Sequence, residues 1–158
     1  MTKEQIKKSE DFLELHHSNK LLILPNIWDV LGAKLLEKRG FGAVATASSA
    51  IAYANGYCDG QEIKYSDLLN ILSRICSCTN LPVSADIEHG FCNTNEELAN
   101  NIKLLIDSGV VGLNFEDSLI EGGELVSIEE QCDKIRIIRE SSKKCGLHIV
   151  INARIDIF

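Results

Sequence analysis

The chain has 158 residues, of which 45% are hydrophobic and 25% are charged, which is ordinary for one soluble globular domain with a real core. Its net charge of −7 argues against nucleic acid as the main partner, because nucleic-acid-binding surfaces are basic. No apolar run approaches the roughly 18 residues of a membrane span, so we expect no membrane partner. The six cysteines include no C-x-x-C pair, and a disulfide scaffold would be surprising in a chain with this much apolar core, so we expect reduced thiols and a cytoplasmic location.

The first third of the chain predicts two helices, two strands and a loop. Hydrophobic periodicity defines the helices, and Gly40 marks the end of the second one. Short apolar runs, the first of them stopped by Pro25, define the strands. The region after the second strand is small, polar and glycine-containing, which favours a loop. In chain order these elements are a helix over residues 3–18, a strand over 21–24, a helix over 29–39, a strand over 42–46 and a loop over 48–60.

The rest of the chain continues the same alternation. Ser66 is the expected cap of one helix, and two capping boxes, Thr94 with Glu97 and Ser127 with Glu130, predict the starts of two more. Strands separated by helices indicate βα units and a parallel sheet, which is an α/β fold with about five strands. In chain order the elements are a helix from Ser66, a strand over 83–86, a helix over 94–108, a strand over 110–116, a loop over 121–124, a helix from Ser127 and a strand over 147–153.

Acidic side chains and one arginine stand where predicted strands end. Asp86 and Glu88 come at the end of the third strand, Glu116 ends the fourth and Arg154 follows the fifth. Ligands bind at the carboxyl ends of parallel strands, so we expect these side chains to converge. Converging carboxylates repel unless a cation neutralises them, and hard divalent cations take oxygen ligands. Since arginine suits a bidentate carboxylate or phosphate, the residues point to a metal-bound, anionic small substrate.

Each of these residues also has an ordinary structural explanation. Asp86 and Glu88 would otherwise be a solvated strand end with a helix-capping acid. Asp117 is an alternative to Glu116 as the ligand, in which case Glu116 would pair with a lysine. Arg154 would otherwise form an ion pair with a neighbouring carboxylate at the end of the sheet.

Five segments together resemble the isocitrate lyase / phosphoenolpyruvate mutase superfamily, and especially its phosphonomutase-like branch. In family order and over nearly the whole chain they are LPNIWDVLGAKLLEKRGFGAVATASSA, GYCDG, LPVSADIEHGF, VVGLNFEDS and VINARID. The resemblance implies a (β/α)8 TIM-barrel fold of which about five βα units are present, so that residues 1–158 form one partial barrel domain. It also implies a homo-oligomer, because family members commonly associate.

The activity that this resemblance implies is that of a lyase or mutase. Such an enzyme makes or breaks a C–C or P–C bond next to an enolate in a small 2-oxo or 2-hydroxy carboxylate, and it uses Mg²⁺, with Mn²⁺ as the alternative ion. Carried across, Asp86 would be the inner metal ligand, and Asp59, Glu88 and Glu116 would act through metal-bound water. By itself, Asp59 between glycine-rich neighbours would only indicate a turn residue.

The resemblance also assigns substrate contacts to Thr46, Ser48, Ser49, Asp59 and Arg154. Arg154 would hold the substrate carboxylate. Backbone N–H groups near Ser48 and Ser49 would bind that carboxylate or the developing enolate oxygen. Asp59 would act with Arg154 as a catalytic residue, on a loop that closes over the substrate and excludes water. The expected partner is therefore a small anionic oxo-acid.

Three departures from the family pattern limit this assignment. Isocitrate and methylisocitrate lyases carry a catalytic cysteine where this chain has residues 118–123, which contain none, while Cys145 in residues 143–148 precedes the fifth strand at the wrong end of the sheet. An isocitrate lyase activity is therefore rejected. Ala45 replaces an aromatic residue, and the last part of the barrel is missing. The alternatives are an oxaloacetate-type C–C hydrolase and a catalytically inactive fold fragment or assembly subunit.

Overall fold

Five parallel strands in sequential order form the single sheet of this α/β protein, as the computed structural model shows for residues 1–118 and 124–156. The order β1-β2-β3-β4-β5, with at least one helix between successive strands, confirms the predicted βα units. The helices are α1 Lys3–His17, α2 Val30–Lys38, α3 Ser48–Ala54, α4 Tyr65–Cys78, α5 Asn95–Asp107 and α6 Ile128–Lys144. The strands are β1 Asn26–Ile27, β2 Val44–Thr46, β3 Val83–Asp86, β4 Gly112–Glu116 and β5 Val150–Arg154.

Side-chain caps begin α5 and α6 as predicted. Thr94 Oγ1 accepts a hydrogen bond from the Glu97 N–H, and Ser127 Oγ accepts one from the Glu130 N–H, each at 3.1 Å. The return bond of the first box differs from the prediction, because Glu97 Oε2 accepts from the N–H of Asn93 at 2.7 Å, one residue before the cap. These caps satisfy backbone donors that have no partner inside the helix.

The predicted strand over residues 21–24 is wrong. Leu21 and Ile23 are 88% and 60% exposed, and the strand begins only at Asn26. Pro25 has no N–H to donate, but its carbonyl accepts from the Ala45 N–H at 3.1 Å, so pairing with β2 starts at the proline and runs onward. The apolar run before it packs Leu22 and Leu24 against the α1 side of the sheet instead.

The predicted loop over residues 48–60 is wrong in part, and the predicted cap at Ser66 is wrong. Residues Ser48–Ala54 form α3, because three alanines favour a helix and Ile51 is fully buried. The loop is confined to residues 55–64, and α4 begins at Tyr65 without a side-chain cap, which places Ser66 inside the helix. The predicted loop over 121–124 lies outside the described residues except for Glu124.

Apolar packing covers both faces of the sheet. One face of the sheet meets the helices α2 to α6 in the large cluster that includes Val44, Val83 and Leu113. On the other face Phe12 of α1 packs with Ala43 and Val111. Three α1 hydrogen bonds hold that helix at the amino-terminal side of β4 and β5: from Gln5 Nε2 to the carbonyls of Ile106 and Val110, and from Ser9 Oγ to the carbonyl of His148. The carboxyl-terminal edge of the strands is therefore left for the polar residues.

Cysteines and hydropathy add little to this picture. Each of the six cysteines is a free thiol, and Cys145 caps the carboxyl end of α6 before β5 begins. The helices described over residues 1–118 and 124–156 include none with the length and apolar character that a membrane crossing requires.

Gly112 provides a test of the packing between α1 and the sheet. A Cβ at this position would lie 3.1 Å from Phe12 Cδ1 and from Ser84 Oγ, and closer still to Phe12 Cε1. We expect Gly112→Ala to lower the free energy of unfolding by about 1–3 kcal/mol through overpacking, measured by urea denaturation. Gly42→Ala is the matched control, since its Cβ would make an ordinary 3.4 Å contact with Leu15. Equal stability of the two variants would contradict this packing.

Candidate active site

Strand register brings the polar residues of three strands into line. Asp86 of β3 is aligned with Asn114 of β4, which is aligned with Asn152 of β5. Two residues further toward the carboxyl ends, Glu116 is aligned with Arg154. Because side chains two residues apart share a face of a strand, these five residues project from the same face of the sheet.

Asp86 lies at the centre of this group. Its Oδ2 accepts from the Ser48 hydroxyl at 2.9 Å and from the Ser48 N–H at 3.4 Å, while its Oδ1 accepts from Asn114 Nδ2 at 3.1 Å and from the Glu88 N–H at 3.3 Å. The Asp86 N–H donates to Thr46 Oγ1 at 3.0 Å. A carboxylate offers about four acceptor positions, so protein donors surround this one fully and fix its orientation.

Asn114 and Asn152 were not predicted from the sequence. Asn152 Nδ2 donates to Asn114 Oδ1 at 2.6 Å, and Asn114 in turn donates to Asp86. The orientation of both amides follows from Asp86, because a carboxylate can only accept. The sequence feature that could have identified them is their spacing. Asn114 precedes Glu116 by two residues and Asn152 precedes Arg154 by two, so each asparagine shares a strand face with a predicted site residue.

Arg154 makes two ion pairs at the end of β5. Its Nη1 lies 2.6 Å from Glu116 Oε1, and its Nε lies 2.6 Å from Asp156 Oδ1. Although burial opposes it, hydrogen bonds from Ser118 and Arg154 hold the pKa of Asp156 below its usual range. Asp117 Oδ1 accepts from the Asp156 N–H at 2.9 Å. Glu116 therefore pairs with an arginine rather than with a lysine, while Asp117 binds the backbone directly after β5.

Buried carboxylates crowd this edge of the sheet. Burial, and then the charges of Asp59, Asp86 and Glu116, raise the pKa of Glu88 to about 8, against a smaller lowering by the Gln61 N–H. Burial, and then Asp86, raise the pKa of Glu116 to about 7 even though Arg154 opposes the shift. Both shifts mean that the ionised forms of Glu88 and Glu116 are less favourable in the folded chain than in water. A bound cation would relieve this repulsion.

The donor set fits a hard divalent cation. In residues 1–118 and 124–156 no three His, Cys, Asp or Glu side chains are already arranged as a metal cluster. Mg²⁺ does not need such a cage, because it usually keeps several waters and binds through one or two carboxylates. Asp86, at the centre, and its acidic neighbours offer carboxylate oxygens of the required kind.

Backbone strain is concentrated beside these carboxylates. Gln61, Glu88 and Phe91 are the three residues other than glycine that the structure shows with positive φ, at 63°, 50° and 53°. Gln61 lies two residues after Asp59 in the loop between α3 and α4, and Glu88 is itself one of the crowded carboxyls. Such conformations cost about 1–3 kcal/mol each and tend to occur at functional sites.

The structure thus brings together most of the residues singled out from the sequence. Asp86, Glu88, Glu116, Arg154, Thr46 and Ser48 are joined by hydrogen bonds, ion pairs or electrostatic contact, Asp59 lies close enough to shift two carboxyl pKa values, and Ser49 is the next residue of α3. A cavity of about 400 Å³ beside them is lined in part by Ala45, Asp86, Asn114, Asn152 and Arg154. A larger cleft of about 540 Å³, at the start of α1 and the ends of α4 and α5, contains none of them.

Glu88 gives a prediction for stability against pH. Its native pKa of about 8 exceeds the ordinary value of 4.5, so between these values the native state keeps a proton that the unfolded chain has lost, and stability falls as pH rises. In buffer with EDTA we expect Glu88→Gln to match the parent near pH 5 and to exceed its free energy of unfolding by roughly 2–4 kcal/mol near pH 9.

The measurement is urea denaturation at several pH values. Glu10→Gln, at an exposed position of α1, is the matched control and should follow the parent throughout. Parallel pH profiles for the parent and Glu88→Gln would contradict the raised pKa.

Comparison with known proteins places these features in a family. The family model for phosphoenolpyruvate phosphomutase matches residues 12–158. The chain is 27% identical over 161 residues to 2-methylisocitrate lyase of Halalkalibacterium halodurans, in an alignment that covers 98% of this chain and 52% of that enzyme. The chain spans about half the length of the curated relatives it matches.

Solved structures give the same result. A protein from Burkholderia cenocepacia J2315, whose proposed class is phosphonomutase, matches with a TM-score of 0.92 and 36% identity over 96% of this chain and 62% of its own. A phosphonopyruvate hydrolase in complex with oxalate and Mg²⁺ matches with a TM-score of 0.84 and 25% identity over 94% of this chain and 52% of its own. The five-stranded sheet therefore corresponds to part of these larger folds.

Proposed function

Because the chain belongs to the phosphoenolpyruvate phosphomutase family, we propose that it makes or breaks a C–C or P–C bond in a small 2-oxo or 2-hydroxy carboxylate through an enolate. The cofactor in this proposal is Mg²⁺, with Mn²⁺ as the alternative ion. The observation that supports it best is the crowded carboxylate group around Asp86, with Arg154 at the same edge of the sheet.

The metal would be held by Asp86, with Asp59, Glu88 and Glu116 acting through its bound water. When bound, Mg²⁺ supplies positive charge and Lewis acidity for an oxo or enolate oxygen. The neighbouring residues keep Asp86 oriented, because Thr46 and Asn114 hydrogen-bond to its backbone and its side chain. The hydrogen bonds of Asp86 therefore set where the cation binds before it arrives.

Arg154 would bind the carboxylate of the substrate. Its side chain is about half exposed, and it already contacts two carboxylates, Glu116 and Asp156. Asp156 holds the Nε side of the guanidinium, so the Nη1 side can exchange Glu116 for a substrate carboxylate. Backbone N–H groups near Ser48 and Ser49 would hold the second anionic oxygen, and the loop with Asp59 would exclude water.

The position of Cys145 limits which reactions of the family we assign to this chain. Cys145 caps α6 before β5, at the end of the sheet opposite Arg154, so we do not assign it to catalysis or the chain to isocitrate cleavage. A lyase or mutase acting on an oxo-acid is preferred, and hydrolysis of an oxaloacetate-type C–C bond is the second candidate. A non-catalytic assembly subunit is the alternative to both, and self-association stays a prediction that light scattering can test.

Removal of the metal ligand tests this proposal. The purified chain is incubated with Mg²⁺ and one of two oxo-acids, phosphonopyruvate or oxaloacetate. Phosphoenolpyruvate, pyruvate and phosphate are measured as products of the first, and oxalate, acetate and pyruvate as products of the second. We expect turnover of at least one oxo-acid that EDTA abolishes, and a loss of at least roughly tenfold in Mn²⁺ affinity in Asp86→Asn by calorimetry. Asp11→Asn, in the surface ion pair with Lys7 on α1, should bind Mn²⁺ like the parent. A parent chain that binds Mn²⁺ without any turnover would favour the non-catalytic alternative.

Arg154→Lys tests the substrate contact separately. Lysine keeps the charge but loses the planar fork, so we expect oxalate to bind roughly tenfold more weakly in the presence of Mg²⁺, with Mn²⁺ affinity nearly unchanged. Calorimetric titration with oxalate is the measurement. Arg136→Lys, in an exposed ion pair on α6, is the control. Oxalate affinity equal to that of the parent would remove Arg154 from the binding site.

A further inference from the structure

The Asp86 carboxylate presents a problem for any cation that binds it. Two donors face Oδ2 and two face Oδ1, so its acceptor positions are filled by the protein itself. A cation that takes one of these oxygens competes with a hydrogen-bond donor already there. The cation can therefore bind only if one of these donors moves away from the carboxylate.

The four donors differ in how firmly they are held. The N–H groups of Ser48 and Glu88 belong to the backbone and move only with the chain. Asn114 is held by the hydrogen bond that its Oδ1 accepts from Asn152 at 2.6 Å. The Ser48 hydroxyl is different, because rotation about one side-chain bond removes it from Oδ2 without any change in the backbone.

We propose that the Ser48 hydroxyl and the metal ion exchange at Asp86 Oδ2, so that Ser48 sets the metal affinity of the site. This inference rests on the proposed function, in which Asp86 is the inner metal ligand. The hydroxyl donates to Oδ2 at 2.9 Å and lowers the free energy of the carboxylate that the ion would bind. Ser48 therefore opposes binding of the cation, although it lies beside the residues that favour it.

The exchange also links the cation to the anionic substrate. Once released from Asp86, the hydroxyl is free to donate to another acceptor, and the site is proposed to hold an anion beside Ser48. Removal of the hydroxyl should then strengthen metal binding and weaken anion binding. A merely structural role for Ser48 would weaken both, so the opposite signs distinguish the two explanations.

Ser48→Ala is the main variant. Alanine is the best helix former and suits the first turn of α3, so the variant is expected to fold, and Ser48→Gly removes the same hydroxyl as a second variant. By calorimetry we expect Mn²⁺ to bind roughly two- to tenfold more tightly than to the parent, the range expected for loss of one competing hydrogen bond. Oxalate, added at saturating Mn²⁺, should bind several-fold more weakly.

Matched variants isolate the hydroxyl. Ser48→Thr keeps the donor and should bind Mn²⁺ like the parent. Ser77→Ala removes a hydroxyl that donates to the carbonyl of Arg74 on α4, far from the site, and should also match the parent. Asn114→Ala removes a donor that is held in place, and it should not tighten Mn²⁺ binding.

The outcomes separate this inference from the proposed function. Mn²⁺ affinity unchanged or weaker in both Ser48→Ala and Ser48→Gly, while Asp86→Asn loses the metal, would overturn the exchange and leave Asp86 as the ligand. Equal tightening in Asn114→Ala would also overturn it, because any lost donor would then suffice. Unchanged affinity in Asp86→Asn would overturn the metal site itself.

Discussion

The hydrogen-bonded carboxylate of Asp86 is the interaction on which the rest of the site depends. The carboxylate joins the end of β3 to α3 through Ser48 and to β4 through Asn114, while the backbone N–H of Asp86 donates to Thr46 of β2. Each of these contacts crosses at least 28 residues of sequence, so the carboxylate can be oriented only after the sheet has formed. In turn, the aligned strands and the start of α3 are held together at the edge where a substrate would bind.

Electrostatics make this edge costly for the folded chain. Glu88 and Glu116 are buried beside other carboxylates, their pKa values are raised, and Glu88 also adopts a left-handed backbone conformation. Arg154 offsets part of this cost through its pair with Glu116. Functional sites commonly lower the stability of the folded chain in this way. Binding of a cation together with an anionic substrate would offset that loss of stability. The same crowding thus explains both the stability cost and the proposed chemistry.

Local signals predicted much of the fold correctly. Thr94 and Ser127 cap their helices as expected, and the strands are parallel, as the alternation of strands and helices predicted. The errors occurred where local composition was misleading. An apolar run before Pro25 packs its side chains without joining the sheet, and a small, polar segment after β2 forms α3 because its alanines and the buried Ile51 favour a helix. In both places tertiary packing decided between two states of similar local preference.

By itself, the sequence determined the α/β class, the alternation of helices with parallel strands, and the edge of the sheet at which Asp86, Glu88, Glu116 and Arg154 would meet. These follow from the periodicity of side chains along the chain and from the position of each residue at a strand end. Only the tertiary structure decided that Arg154 pairs with Glu116, and that Asn152 and Asn114 relay hydrogen bonds to Asp86. The reason is register: a shift of one residue between neighbouring strands would turn these side chains to the other face, and register is set by long-range packing.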